Sequence, residues 1–360
     1  MSVGLMQRVC AGYRVPFFDI LADTLPGGLS LYAGDPRPDE MIDQSKKPER
    51  AVFYHARNLH LFSGKYYLCV QTDIPVWLKK TDPEVLILEA NMRYPMSSFA
   101  AGWMHRRHRP VIGWGLGSGS TGGRLLQRHL SAYDAMITYS SAGKRSYMAA
   151  GFPEERIFTA CNAAVPRPVR SMPERPPNAY DGRPVVLYVG RLQTRKRLDL
   201  LMRSCAEQPA EIRPRLRIVG DGPIRSDLEK AAAELYPETE FFGPLYGEEL
   251  TAQFDRADLF CLPGTGGLAL QQAMASALPL IAAEADGTQV DLVRPENGII
   301  VKPGDQADLT GAITRMLSDP VRLRAMGAES FRIVRDEINL ESMAAVFAGA
   351  VDFVRAKGRR

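Results

Sequence analysis

Val185-Val186-Leu187-Tyr188-Val189-Gly190-Arg191-Leu192-Gln193-Thr194-Arg195-Lys196-Arg197 is a run of five apolar residues halted by glycine and followed by cations. Such a run predicts a short parallel strand buried on both faces, with a turn at Gly190. The next residues, Leu198 to Ser204, read as a helix. The same figure recurs at Leu216 to Val219 before Gly220, at Leu259 to Leu262 before Pro263, at Leu280 to Ala283, and at Ile299 to Val301 before Lys302-Pro303-Gly304. Between these runs, Ser226 to Leu235 and Ala269 to Ala277 repeat apolar residues at helical spacing. Strand, glycine turn and helix in alternation predict an α/β, doubly wound domain.

Six prolines lie between Pro166 and Pro184, a density that neither a helix nor a central strand tolerates, so residues 166–184 read as a linker. Upstream, strands are expected at Val85 to Leu88, Val111 to Trp114, Met136 to Tyr139 and Ile157 to Ala160, and a first helix over Val15 to Leu21 with Pro16 near its start. The organisation expected is 1–165 as a first domain, 185–340 as a second, and 341–360 as a helix crossing back to the first. A chain of 360 residues, 45% apolar and 24% charged, suits two such domains and excludes disorder or a disulfide scaffold. Its five cysteines form no Cys-x-x-Cys pair and read as buried fillers; its five histidines show no metal spacing. No apolar run is long enough to span a membrane and no signal peptide opens the sequence, so a cytoplasmic location is expected. Charge is uneven: residues 1–165 carry 19 Lys+Arg against 14 Asp+Glu, and residues 185–360 carry 22 against 25. A net charge of +4 does not call for nucleic acid.

Arg191 and Lys196 stand between a strand end and a helix start. Arginine offers a bidentate fork, lysine a compact charge and the helix end its free amides, which together suit a diphosphate. Val219-Gly220-Asp221-Gly222-Pro223 is a second strand-to-glycine turn, with Asp221 placed to cap the next helix. Leu262-Pro263-Gly264-Thr265-Gly266-Gly267-Leu268 runs from a strand through three glycines into a helix, where bare amides can meet phosphate oxygens. Gln272, one turn further on, is placed to reach a ribose hydroxyl.

In this order the three segments resemble the nucleotide-sugar half of glycosyltransferase family 4 enzymes of GT-B fold. The motifs are G-R-L-x-x-x-K at Gly190 to Lys196, V-G-x-G-P at Val219 to Pro223, the donor strand and helix at Leu259 to Met274, and N-G-x-x-V-x-P-G-D at Asn297 to Asp305. The resemblance implies two Rossmann-like domains facing each other across a cleft, residues 1–165 binding the acceptor and residues 185–340 the nucleotide sugar. It implies retaining transfer of a sugar from a UDP- or GDP-type donor to a glycan or lipid-linked glycan acceptor, with no cofactor and no essential metal. Arg191 and Lys196 would be catalytic, offsetting charge on the departing diphosphate. Gly190, Gly220, Asp221, Thr265, Gly266, Gly267, Leu268, Gln272 and Asp286 would bind the donor. The family's two glutamates, eight residues apart, correspond to Gly264 and Gln272 here, which leaves open a catalytically silent nucleotide-sugar or partner-binding protein.

On the acceptor side, the expected residues are Tyr13, Arg14, Glu89, Asn91, Arg93, Trp114 and Leu116; relatives often carry a histidine where Leu116 stands. Gly117 to Gly122 matches a dinucleotide fingerprint, but the strand after it ends in Ser140-Ser141 rather than an acid, which disfavours NAD. His105-Arg106-Arg107-His108-Arg109, preceded by Phe99, Trp103 and Met104, is a candidate face for peripheral contact with an anionic membrane.

Overall fold

The computed structural model describes residues 2–40, 42–118 and 123–358. The chain divides into two compact units, Met1–Pro166 with Leu340–Arg360, and Arg167–Asn339. In the first unit the strands are β1 (Val3–Val9), β2 (Leu29–Gly34), β3 (Val52–Ala56), β4 (Asn58–Leu61), β5 (Leu68–Gln71), β6 (Val85–Glu89), β7 (Val111–Gly115), β8 (Ala135–Thr138) and β9 (Ile157–Thr159). Among the described residues, seven of them form a parallel sheet in the order β3-β2-β1-β6-β7-β8-β9, and β4 and β5 pair as an antiparallel hairpin. The four strands expected here are present within a residue or two; β1, β2, β3 and the hairpin are additional.

The helix Val15–Thr24 forms as expected, with Pro16 in its first turn, and packs with Leu340–Gly358 on one face of this sheet. Phe17 and Phe347 meet edge-on there, ring centroids 5.0 Å apart, over Trp114. The C-terminal helix thus completes the core of the first unit.

The second unit holds β10 (Val185–Val189), β11 (Arg215–Val219), β12 (Thr239–Gly243), β13 (Leu259–Leu262), β14 (Leu280–Ala283) and β15 (Gly298–Val301). Its sheet is parallel, in the order β12-β11-β10-β13-β14-β15. In each sheet chain order reverses beside the first strand, between β1 and β6 and between β10 and β13. Ligands of open α/β sheets bind at such switch points, beyond the carboxyl ends of the strands.

The proline-rich stretch is not a free linker. Arg175 donates to the carbonyls of Phe254, Ala257 and Ala277, and Arg170 forms a two-pronged pair with Asp255. Arg324, held to Asp258 at 2.6 Å, donates to the carbonyls of Pro176 and Ala179. Proline removes backbone donors but leaves its carbonyls free, so arginines strap the stretch onto the second unit.

Candidate functional site

At the switch point of the second unit the loops after β10, β11 and β13 lock together through backbone. Gly190 donates to the carbonyl of Val219, Leu192 to that of Asp221 and Thr265 to that of Arg195, over 2.9–3.2 Å. Gly220, at φ +132°, lies so close to Gly190 that a Cβ would fall 2.0 Å from the Gly190 carbonyl oxygen. Only glycine permits both that dihedral and that approach.

Gly264 is under a similar constraint: a Cβ there would lie 2.2 Å from the Arg195 carbonyl oxygen and 2.7 Å from Lys196 Cα. The position where the resemblance expects a glutamate has no room for any side chain on this backbone. The space is taken by the peptide that carries Lys196.

Lys196 is 8% exposed, and its ammonium donates to the carbonyl of Thr265. Burial, with Arg195 as a lesser cause, pulls its pKa down to about 8. Arg195 donates to the Thr265 hydroxyl at 2.7 Å, and Gln289 to the Gly266 carbonyl at 2.8 Å. The Arg191 side chain has no hydrogen-bond or carboxylate partner among the described residues. Lys196 and Arg195 thus both meet Thr265 of the glycine turn, and Arg191 stands uncommitted on the same loop, which is chemistry for an anionic ligand with two adjacent charged groups.

Gly267 precedes the helix Leu268–Ala275; Leu268 and Gln272 lie exposed on it, one turn apart. Asp286 turns back on its own loop, accepting from the Thr288 hydroxyl at 2.7 Å and from the Thr288 amide. It reaches the glycine turn only through that loop, where Gln289 holds Gly266. Asp221 does not cap the next helix: it accepts from the Gly222 amide, and the helix Arg225–Leu235 begins after Ile224 without a side-chain cap. Arg195 and Gln289 touch the glycine turn directly, contacts that sequence reading did not assign to them.

In the first unit the switch point gathers Tyr13, Glu89, Asn91 and Arg93. Glu89, the last residue of β6, accepts from the Arg8 amide at 2.9 Å, and burial raises its pKa. Asn91 turns its amide oxygen onto the Arg93 N–H, and Arg93 and Tyr13 are exposed. Two expectations need correction. Trp114 is fully buried beneath Phe17, Phe347 and Tyr139, because its strand is central and its ring points to the helix-covered face. Arg14 is 6% exposed, with its guanidinium near the Trp114 and Tyr139 rings and bonded to Asn162 Oδ1 and the Ala163 carbonyl, so it braces the core. Leu116 is exposed at the end of β7. Of the fingerprint Gly117 to Gly122, residues 119–122 lie outside the described residues.

Over 98% of its length the chain superimposes on the lipopolysaccharide outer core galactosyltransferase WaaB, with a TM-score of 0.69 and 18% identity, covering 99% of that chain. It superimposes equally well on Anabaena HepE in complex with UDP, with a TM-score of 0.72 and 14% identity, covering 98% of this chain and 99% of that one.

The fold is GT-B.

Residues 173–332 match the family model of glycosyl transferases group 1, a span that begins inside the proline strap and takes in all three loops of the GT-B switch point. A GDP-mannose-dependent alpha-mannosyltransferase of Mycolicibacterium smegmatis is 34% identical over 168 residues, 44% of this chain and 42% of that protein. The chain covers only 22% to 45% of the length of the curated relatives that head the matches. The family-model match lies within the second unit, where the interlocked loops are.

Proposed function

We propose that the protein is a glycosyltransferase of family 4 type, moving a sugar from a UDP- or GDP-linked donor to a glycan or lipid-linked glycan with retention of anomeric configuration. The observation that carries this reading is the seating of Lys196, with Arg195 beside it, on the Thr265–Gly267 turn at the switch point of the second unit, on the same loop as Arg191. In the transfer, negative charge grows on the diphosphate as the bond to the sugar breaks, and Lys196, held in a partly desolvated site, together with Arg191 stabilises that charge more than the ground state. The protein's own cations supply this neutralisation, so no metal is assigned a part. HepE is in complex with UDP and the mycobacterial relative is GDP-mannose-dependent, which supports a nucleotide-sugar donor without choosing the base. The first unit, with Tyr13, Glu89, Asn91 and Arg93 at its switch point, receives the acceptor.

The test is incubation with radiolabelled UDP-, GDP- and dTDP-sugars, scoring donor hydrolysis and transfer with and without a chelator, followed by assignment of the product anomer. Turnover of one donor class that survives chelation is expected. Nucleotide binding without turnover of any donor overturns the enzyme reading.

A further inference from the structure

The expected membrane face at residues 99–109 keeps only part of its combination at the surface. Trp103 and Met104 are buried, Arg107 lies 3.7 Å over the Trp103 ring, and Arg109 is committed to Asp82 through two hydrogen bonds. The helix Pro95–His105 turns Trp103 into the core and leaves Phe99, 40% exposed, as the one apolar ring of that face at the surface.

A different part of the first unit has the fuller combination. The β4–β5 hairpin carries Phe62 at 73% exposure and Tyr66 at 69%, and with Met92 at 47% they border an open depression of about 790 Å³. Lys65 and Arg93 line the same depression, both exposed and neither with a carboxylate partner among the described residues. The Lys65 ammonium sits 5.0 Å from the Tyr66 ring centroid.

Clustered large apolar side chains left in water mark a surface that something covers. The hairpin is also held firmly in place. Tyr67 is buried under the Arg37 guanidinium and shares a 2.8 Å hydrogen bond with His60, and the Cys69 amide donates to the Arg93 carbonyl. Phe62 adopts φ +58°, a left-handed conformation unusual for a bulky residue, which keeps the tip turned at that point. An ordered tip with aromatic side chains flanked by unpaired cations fits the boundary between acyl chains and anionic headgroups, where rings seat at the interface and lysine or arginine meets phosphate.

We propose that the hairpin tip, through Phe62, Tyr66, Met92, Lys65 and Arg93, docks the first unit on an anionic lipid surface. The excess of basic residues in positions 1–165 works in the same direction. The docking surface stands on these residues alone; its use, bringing the chain to a lipid-borne acceptor, rests on the function proposed above.

The test is co-sedimentation of the full chain with vesicles of phosphatidylglycerol in phosphatidylcholine and with vesicles of phosphatidylcholine alone. Neither lipid carries a glycan, so surface docking is separated from acceptor capture. Binding to the anionic vesicles only is expected, reduced about tenfold or more in Phe62→Ser/Tyr66→Ser and about fivefold in Lys65→Glu, with melting temperatures unchanged because these side chains are exposed. No binding by the unmodified chain, equal binding to both vesicle types, or full binding by the double variant overturns the proposal. Calorimetric titration with UDP and GDP reads the second unit separately: vesicle binding without nucleotide binding sinks the proposed function and leaves the docking surface intact, and the reverse result does the opposite.

Discussion

The ammonium of Lys196 donates to the carbonyl oxygen of Thr265, so a cation on the loop after β10 is already seated against the loop after β13 before any ligand arrives. The bond joins the two strands between which the second sheet reverses. It fixes the charge at the turn but does not remove it.

Because burial brings the Lys196 pKa down to about 8, a bound diphosphate should return it upward by favouring the ammonium. Binding of UDP or GDP near pH 8 should therefore take up a fraction of a proton, and affinity should fall as pH rises above that value. Below about pH 7 the lysine is already charged and uptake should vanish. Calorimetry in two buffers of different ionisation enthalpy measures this. Lys196→Arg should abolish uptake, whereas Lys196→Ala and Arg191→Ala should each weaken binding by roughly 1–3 kcal/mol, the scale of a charged hydrogen bond. Unchanged affinity in both alanine variants would remove the pair from the donor site.

Gly264 makes a sharper demand. A methyl group at this position overlaps the Arg195 carbonyl, so Gly264→Ala should destabilise the protein by about 1–3 kcal/mol, and Gly264→Glu should also displace the Lys196 loop and abolish nucleotide binding. Restoring the glutamate expected from the resemblance is thus predicted to harm the site. Gln272 is exposed on its helix, and Gln272→Glu should change stability by no more than about 0.5 kcal/mol. A carboxylate there accepts from ribose hydroxyls more strongly than an amide, so nucleoside diphosphate binding should tighten. Thermal melting and calorimetry on both variants decide it; a stable Gly264→Glu with full affinity would refute the packing argument.

These two positions also show what the sequence could and could not convey. The strands of the second unit were legible because Val185–Val189, Leu259–Leu262 and Leu280–Ala283 are buried on both faces and therefore uniformly apolar. β12, with Thr239-Glu240-Phe241-Phe242 half-buried at the sheet edge, has no such run, and β1 mixes Gly4, Gln7 and Arg8 among its apolar residues. The glycine turns announced a ligand site, yet Gln289 joins it through a contact that spans more than twenty residues and leaves no local pattern. Trp114 shows the opposite failure. A strand-end tryptophan reads as a site residue until the sheet order shows that its face is covered by the C-terminal helix.

Burial also acts on Glu89, whose pKa is raised above the ordinary value. A carboxyl that holds its proton more tightly folded than unfolded contributes stability below the folded pKa, and this is lost as pH rises from the unfolded value through the folded one. The first unit should accordingly lose stability across that interval, and Glu89→Gln should flatten the loss. Melting temperatures of the two proteins between pH 4 and pH 8, converging at the acid end, would bear this out; parallel curves would mean that the Arg8 amide already compensates the charge.

The proline strap offers a final prediction. Asp258 is 8% exposed and accepts both from the Val185 amide at 2.8 Å and from Arg324 at 2.6 Å, while Arg324 also holds the carbonyls of Pro176 and Ala179. Removing one partner of a buried ion pair strands the other, a loss of about 3–5 kcal/mol, so Asp258→Ala should strongly lower the melting temperature. Arg175→Ala removes hydrogen bonds to carbonyls that water can partly replace, and its cost should be smaller, about 1–3 kcal/mol. Both variants should expose residues 166–184 to limited proteolysis under conditions in which the parent resists, with cleavage inside the strap preceding loss of either unit. Cleavage of the parent at the same rate would mean that the arginines do not hold the strap, and the stretch would then be the free linker its prolines first suggested.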